Sequence, residues 1–171
     1  MIIKTPTRLH MGIIDISRKF SREYGALGVM IKGGFVIKVE KNDHLSIKAT
    51  EKNATDIKAA HEAMKDKLDI DDNFRIKVEK SIPRHMGLGS TTQLKLAIGA
   101  GIARLSSYDL KVRELADIVG RGRYSAIGTY GFDRGGFVLE GGKSFPDEIP
   151  PITAHYDIRE DWRFLMVCPK I

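Results

Sequence analysis

Cysteine is almost absent from this chain: Cys168 is the single one in 171 residues. No internal disulfide can form, and no zinc site built on paired thiolates can assemble. The five histidines, at positions 10, 44, 61, 85 and 155, lack the close spacing of metal-ligand pairs. Long apolar runs are missing too. Lys, Arg, Glu or Gly interrupts each one well before the roughly 20 residues that a membrane-spanning helix needs, so no membrane association is expected. The opening segment, Met1 to His10, reads as a strand and not as a secretion signal, which points to a cytoplasmic protein. An RNP-type aromatic motif, a zinc finger and a basic heptad region are also lacking, and no nucleic-acid partner is expected despite a net charge of +6. That charge suits an anionic partner without choosing among them.

What is present reads as one globular domain, with 42% hydrophobic and 29% charged residues. Three segments alternate with period two and predict half-buried strands: Phe35, Ile37 and Val39; Leu45, Ile47 and Ala49; Phe74, Ile76 and Val78. The lysines, arginines and glutamates between them read as wet strand faces. Asn42-Asp43 predicts a hairpin turn between the first two strands. Ile2 to Ile14 predicts a further extended segment in the same sheet. Ala54, Ile57, His61, Met64 and Leu68 recur at helical spacing and predict an amphipathic helix from Asn53 to Leu68, with Asn53 as its cap. His61 on that stripe reads as core packing. Further helices are expected at about 91–105 and 112–119, and a strand at Phe137-Val138-Leu139 between glycine turns. The apolar run Phe164 to Cys168 predicts a last strand needing cover on both faces. Nothing after it supplies that cover, so the expectation is an incomplete chain or one that relies on a partner.

The most informative segment is Pro83-Arg84-His85-Met86-Gly87-Leu88-Gly89-Ser90-Thr91-Thr92, between a strand and a helix rich in small residues. A glycine pair lets backbone approach an anion, and Ser90 with the first helical amides points donors at it. The Walker A spacing and the dinucleotide-binding glycine pattern are both missing. On local evidence alone, Gly-x-Gly-Ser also fits a plain loop with a helix cap, the lesser of the two readings.

This string resembles the second motif of GHMP kinases, Pro-x-x-x-Gly-Leu-Gly-Ser-Ser. A narrower likeness runs through Thr5-Pro-Thr-Arg8-Leu-His10-Met-Gly12-Ile-Ile-Asp15, the glycine string to Gln93, Gly120-Arg-Gly-Arg123-Tyr-Ser-Ala-Ile-Gly128-Thr, and Phe132-Asp133-Arg134-Gly-Gly-Phe. These segments are similar to the beta-ribofuranosylaminobenzene 5'-phosphate synthase family of methanopterin biosynthesis in archaea. The resemblance implies an α+β fold, the GHMP-kinase amino-terminal domain of the ribosomal protein S5 domain 2-like type, with a left-handed crossover. It implies that residues 1–160 form this domain, that 161–171 begin a truncated carboxy-terminal domain, and that the piece alone is inactive.

It further implies phosphoribosyl transfer from phosphoribosyl pyrophosphate to 4-aminobenzoate or 4-hydroxybenzoate with loss of carbon dioxide, by a homodimer using Mg2+. The other reading is an ATP-dependent small-molecule kinase of the same superfamily. Gly87, Leu88, Gly89, Ser90, Thr91 and Thr92 are then the phosphate-binding residues, although Thr91, Thr92 and Gln93 depart from the kinase pattern and put ATP in doubt. Asp133, near the position of the kinase catalytic Asp, is the expected catalytic residue, with Ser90 and Asp133 as metal ligands; an Asp beside Gly135 also suits a plain turn. Arg8, His10, Arg121, Arg123 and Arg134 are the candidates for the 5'-phosphate and the aromatic carboxylate, because guanidinium binds such groups bidentately.

Overall fold

Two four-stranded sheets and four helices make up the structure, a computed structural model that describes residues 1–17, 19 and 21–167. The first sheet contains β1 (Ile2–Lys4), β4 (Val36–Asn42), β5 (Ser46–Lys48) and β6 (Asn73–Lys80), in the order β1-β4-β6-β5. The second contains β2 (Thr7–Asp15), β3 (Tyr24–Ile31), β7 (Phe137–Glu140) and β8 (Ile152–Tyr156), in sequential order and antiparallel throughout. Helices α1 (Glu51–Leu68) and α2 (Ser90–Leu105) pack together, and α2 reaches the first sheet through β4 and β1. Helix α4 (Ile127–Arg134) packs on β3 and α2, and α3 (Val112–Ile118) joins α1, α2 and α4. The fold is thus α+β, as expected.

Period-two alternation positions the core. Ile37 and Val39 of β4 and Phe74 and Ile76 of β6 are fully buried, with Ile57 and Met64 of α1 and Leu94 and Ile98 of α2 in the same cluster. The charged residues between them meet on the outer face, where Arg75 and Lys38 both pair with Glu40. Exposed pairs of this kind contribute little stability, so burial of the apolar face is what sets the register. His61 is buried edge-on to Phe74, 5.9 Å between ring centroids, in agreement with its reading as a core residue.

Several expectations are corrected. The segment from Ile2 to Ile14 is two strands in different sheets, because the chain breaks direction at Thr5-Pro6, where the Thr5 hydroxyl oxygen accepts the Phe35 amide (2.9 Å). Asn42-Asp43 is no hairpin turn: β6 lies between β4 and β5, pairing antiparallel with the first and parallel with the second through the α1 crossover. Helix α1 starts two residues before Asn53, with Thr50 at the cap position. Asn53 is free to turn inward and accept the Arg84 guanidinium (3.0 and 2.9 Å). The run beginning at Phe164 forms no strand over its described part, and Leu165 and Val167 are exposed; Cys168 lies outside the described residues. Without a facing strand or helix, apolar sequence alone does not make a ladder.

Glycines 33 and 34 carry the chain into β4, and Gly34 is the tightest point. A Cβ there would lie 2.2 Å from the Thr5 carbonyl oxygen and 2.3 Å from that of Pro6, both rigid backbone atoms. Gly34→Ala is expected to cost at least about 2 kcal/mol of stability through this overpacking, read as a lowered urea midpoint. An unchanged midpoint would show that the junction between the two sheets is looser than described.

Candidate anion-binding site

Helix α2 ends at the surface in an unusual way. It is buried along most of its length, yet its first turn carries no acidic residue and its cap residue, Gly89, has no side chain with which to bond the free amides. The first intrahelical bond runs from the Gln93 amide to the Gly89 carbonyl (3.0 Å), which leaves the amides of Ser90, Thr91 and Thr92 ahead of it. Such amides and the positive end of the helix dipole favour an anion. Gly87 and Gly89 both sit at φ +70 and His85 at +61, so the loop coils through left-handed conformations that only glycine adopts freely. Around it lies a depression of about 200 Å3 lined by Arg8, His85, Arg121 and all six residues from Gly87 to Thr92.

Two arginines close this depression from the sides. The Arg8 amide donates to the Leu88 carbonyl (3.1 Å), tying β2 to the loop, and the Arg8 side chain lies 3.1 Å from where a Gly89 Cβ would stand. Arg121 donates twice to the Thr92 hydroxyl (3.1 Å each). Burial lowers the Arg8 pKa first, and the Arg121 charge lowers it further. Arg121 is likewise lowered by burial. Two partly desolvated guanidiniums that repel each other are a poor resting arrangement and a good one for a dianion. Below the loop, Arg84 grips Asn53 and Asp56 of α1 and donates to the Lys52 carbonyl (3.1 Å), anchoring the loop to the first sheet's layer.

The other sequence candidates lie elsewhere. His10 follows Arg8 on β2, half-buried, its pKa lowered by burial and by Arg8. Arg123 points outward to Asp117 (3.1 Å) and Asp147 (3.0 Å). Arg134 and Asp133 occupy the far end of α4, half-exposed and 3.7 Å apart. Asp133 borders a hollow with Ala100, Ala103 and Arg104, ten or more residues along α2 from Ser90, a rise of about 15 Å. Magnesium takes its ligands at about 2.1 Å, so Ser90 and Asp133 do not fit one shared cation. Among the described residues, no group of three His, Cys, Asp or Glu side chains could hold a metal ion.

Two buried polar groups near the site are not foreseen in these roles by the sequence: Gln93 reads there only as a departure from the kinase pattern, and Glu140 is not singled out. Gln93 donates to the Gly128 carbonyl (2.8 Å), joining α2 to the start of α4. Glu140, at the end of β7, is fully buried, and its pKa is raised to about 7, chiefly by desolvation. The Ala126 amide, the Ser125 hydroxyl and the Arg8 charge offset part of that rise.

A sequence model described as the GHMP kinases N terminal domain matches residues 56–141, the span from α1 through β7 that contains the loop. The chain belongs to the GHMP kinase family. Curated relatives named beta-ribofuranosylphenol 5'-phosphate synthase match it end to end. The one from Methanothermobacter thermautotrophicus is 32% identical over 193 residues, covering 100% of this chain and 58% of that protein. The one from Methanocaldococcus jannaschii is 32% identical over 196 residues, covering 99% of this chain and 60% of that protein. The chain therefore spans about three fifths of the length of these relatives. Among solved structures, the mevalonate kinase of Methanococcus jannaschii aligns at TM-score 0.64 and 15% identity, over 94% of this chain and 56% of its own. A putative sugar kinase from Campylobacter jejuni aligns at TM-score 0.69 and 15% identity, over 89% of this chain and 55% of its own. These kinases share the fold.

Gly89→Val adds a branched side chain at positive φ and against Arg8. It is expected to weaken inorganic pyrophosphate binding at least tenfold in calorimetric titration while leaving the circular dichroism spectrum intact. Unchanged affinity would remove the loop from the site. A second expectation concerns pH. The folded state holds the Glu140 proton more tightly than the unfolded state does, so ionising it costs stability as pH rises from about 5 through 7. Glu140→Gln should match its parent near pH 5 and exceed it by something on the order of 2 kcal/mol at pH 8 in urea unfolding. Equal stabilities at both pH values would contradict the buried carboxyl.

Proposed function

We propose that the loop from Gly87 to Thr92 holds the pyrophosphate of phosphoribosyl pyrophosphate, and that the whole protein joins the ribosyl carbon to an aromatic acid. The observation that carries this reading is the convergence of the α2 amides with Arg8 and Arg121 around one small depression. The relatives' name supports the acceptor class and narrows it: a phenol in the product matches 4-hydroxybenzoate more closely than 4-aminobenzoate.

The chemistry follows from the atoms. Direct loss of carbon dioxide would leave an unstabilised aryl anion, so the ring carbon bearing the carboxylate attacks the anomeric carbon first. The carbon–oxygen bond to pyrophosphate breaks as the new carbon–carbon bond forms, and the para oxygen accepts the electron deficit of the ring. Carbon dioxide then leaves with its bond pair restoring aromaticity. The chain's part is electrostatic: preorganised amides and two guanidiniums stabilise the negative charge that grows on the leaving group. Asp133 borders the hollow at the far end of α2 with Arg134 beside it, and no step is assigned to them or to magnesium. A homodimer and a cytoplasmic setting belong to the same proposal; no helix among the described residues is long and apolar enough to cross a membrane.

The test is incubation of the protein, at the length of its relatives, with phosphoribosyl pyrophosphate and carboxyl-labelled 4-hydroxybenzoate. Labelled carbon dioxide and pyrophosphate should appear in equal amounts, and Arg121→Ala should lower kcat/KM at least tenfold, whereas Asp133→Asn should leave pyrophosphate affinity unchanged. Consumption of ATP with phosphorylation of an alcohol, and no carbon dioxide, would replace this reading with that of a small-molecule kinase.

A further inference from the structure

Glu140 is a fully buried carboxyl that the proposed chemistry leaves without a task. Its register partner is Ala26 of β3, on the inner face of the second sheet, where Arg8 of β2 pairs opposite Met30. Alternation along the strands puts Arg8, Met30, Ala26 and Glu140 on the same side, facing α4. The Ala126 amide and the Ser125 hydroxyl approach the carboxylate without completing a hydrogen bond of ordinary geometry, and the Arg8 Nε, on the same sheet face beside Gly89, is likewise buried and unmatched. A carboxylate placed so costs several kcal/mol unless a cation offsets it. Arg8 is the cation whose charge it feels, and Arg8 feels Glu140 in return.

We propose that Glu140 is the buried counter-charge of the anion cradle, which offsets the Arg8 charge from the same face of the sheet without touching it and takes up a proton when an anion binds at the loop. This rests on the reading of the loop as a pyrophosphate site. In the resting protein the carboxylate offsets one of two mutually repelling guanidiniums. An arriving pyrophosphate neutralises both, and Glu140 is left facing net negative charge, which favours its protonated form. Burial already raises its pKa from the usual carboxylate range to about 7, so a modest extra push moves an appreciable fraction of a proton. The other titratable groups facing this pocket are His10 of β2, Tyr130 of α4 and His155 of β8. Tyr130 is engaged with the Pro150 carbonyl (2.8 Å) and His155 with that of Gly135 (3.2 Å). His10, also near Arg8, is the group whose titration must be told apart.

The experiment is calorimetric titration of this chain with sodium pyrophosphate at pH 7 in three buffers of different ionisation enthalpy. It is paired with the side-chain carboxyl 13C resonance of Glu140 followed against pH with and without pyrophosphate. The parent should take up roughly a third to a half of a proton per anion. Glu140→Gln should still bind but lose most of that uptake, and the Glu140 resonance in the parent should titrate at higher pH when pyrophosphate is bound. Equal uptake by parent and variant, or a resonance unmoved by the anion, would assign the proton to His10 and overturn the role of Glu140 alone. No pyrophosphate binding by the parent would overturn the loop reading and this proposal with it.

Discussion

Everything at the site depends on one constraint: α2 must be buried along nearly all its length while its first amides stay open to solvent. The helix meets this by composition. Its buried positions after Gln93 are Leu, Ile, Ala and Gly, and its only charged residues are Lys95 and Arg104, so no carboxylate competes for the amides at its start. Burying the body fixes the axis, and the fixed axis aims the dipole. The loop from Arg84 to Gly89 is then held from two directions, by Arg84 on α1 and by the Arg8 backbone on β2. The depression belongs to both sheets' layers at once, and either alone would leave it open on one side.

The same constraint explains what could be read from the chain in advance. Strands β4 and β6 and the helices α1, α2 and α3 were legible because their inner and outer faces alternate at the periods that burial imposes. Strand β3 and helix α4 were not. Gly28 interrupts the strand pattern because the Leu9 carbonyl and Ile127 press where its side chain would be, and Gly131 interrupts the helix because Met30 fills that place. Both are close approaches between elements distant in sequence, and local spacing carries no sign of them. The hairpin expected at Asn42-Asp43 failed for a related reason: a turn-forming pair specifies a bend but not which strand comes to lie alongside.

For the site, the glycine loop was legible because left-handed backbone demands glycine and leaves it in the sequence. Arg8 and Arg121 could be named as cations but not as neighbours, since 112 residues of chain separate them and only the fold unites them. Asp133 carried the reverse lesson. Its flanking glycines matched a catalytic pattern, yet it lies at the opposite end of α2. Glu140 had no sequence signal at all, because an acidic residue ending a short strand before two glycines looks like any solvent-facing turn.

Two glycines inside α2 give the helix a mechanical property. A Cβ at Gly99 would meet Leu115 of α3 at 2.6 Å, and one at Gly101 would meet Ile3 of β1 at 2.9 Å, so neighbours press on the helix backbone from opposite flanks. A rod clamped in this way cannot slide along its axis or roll about it without driving backbone into side chain. Displacement at its amide end is therefore not passed down its length.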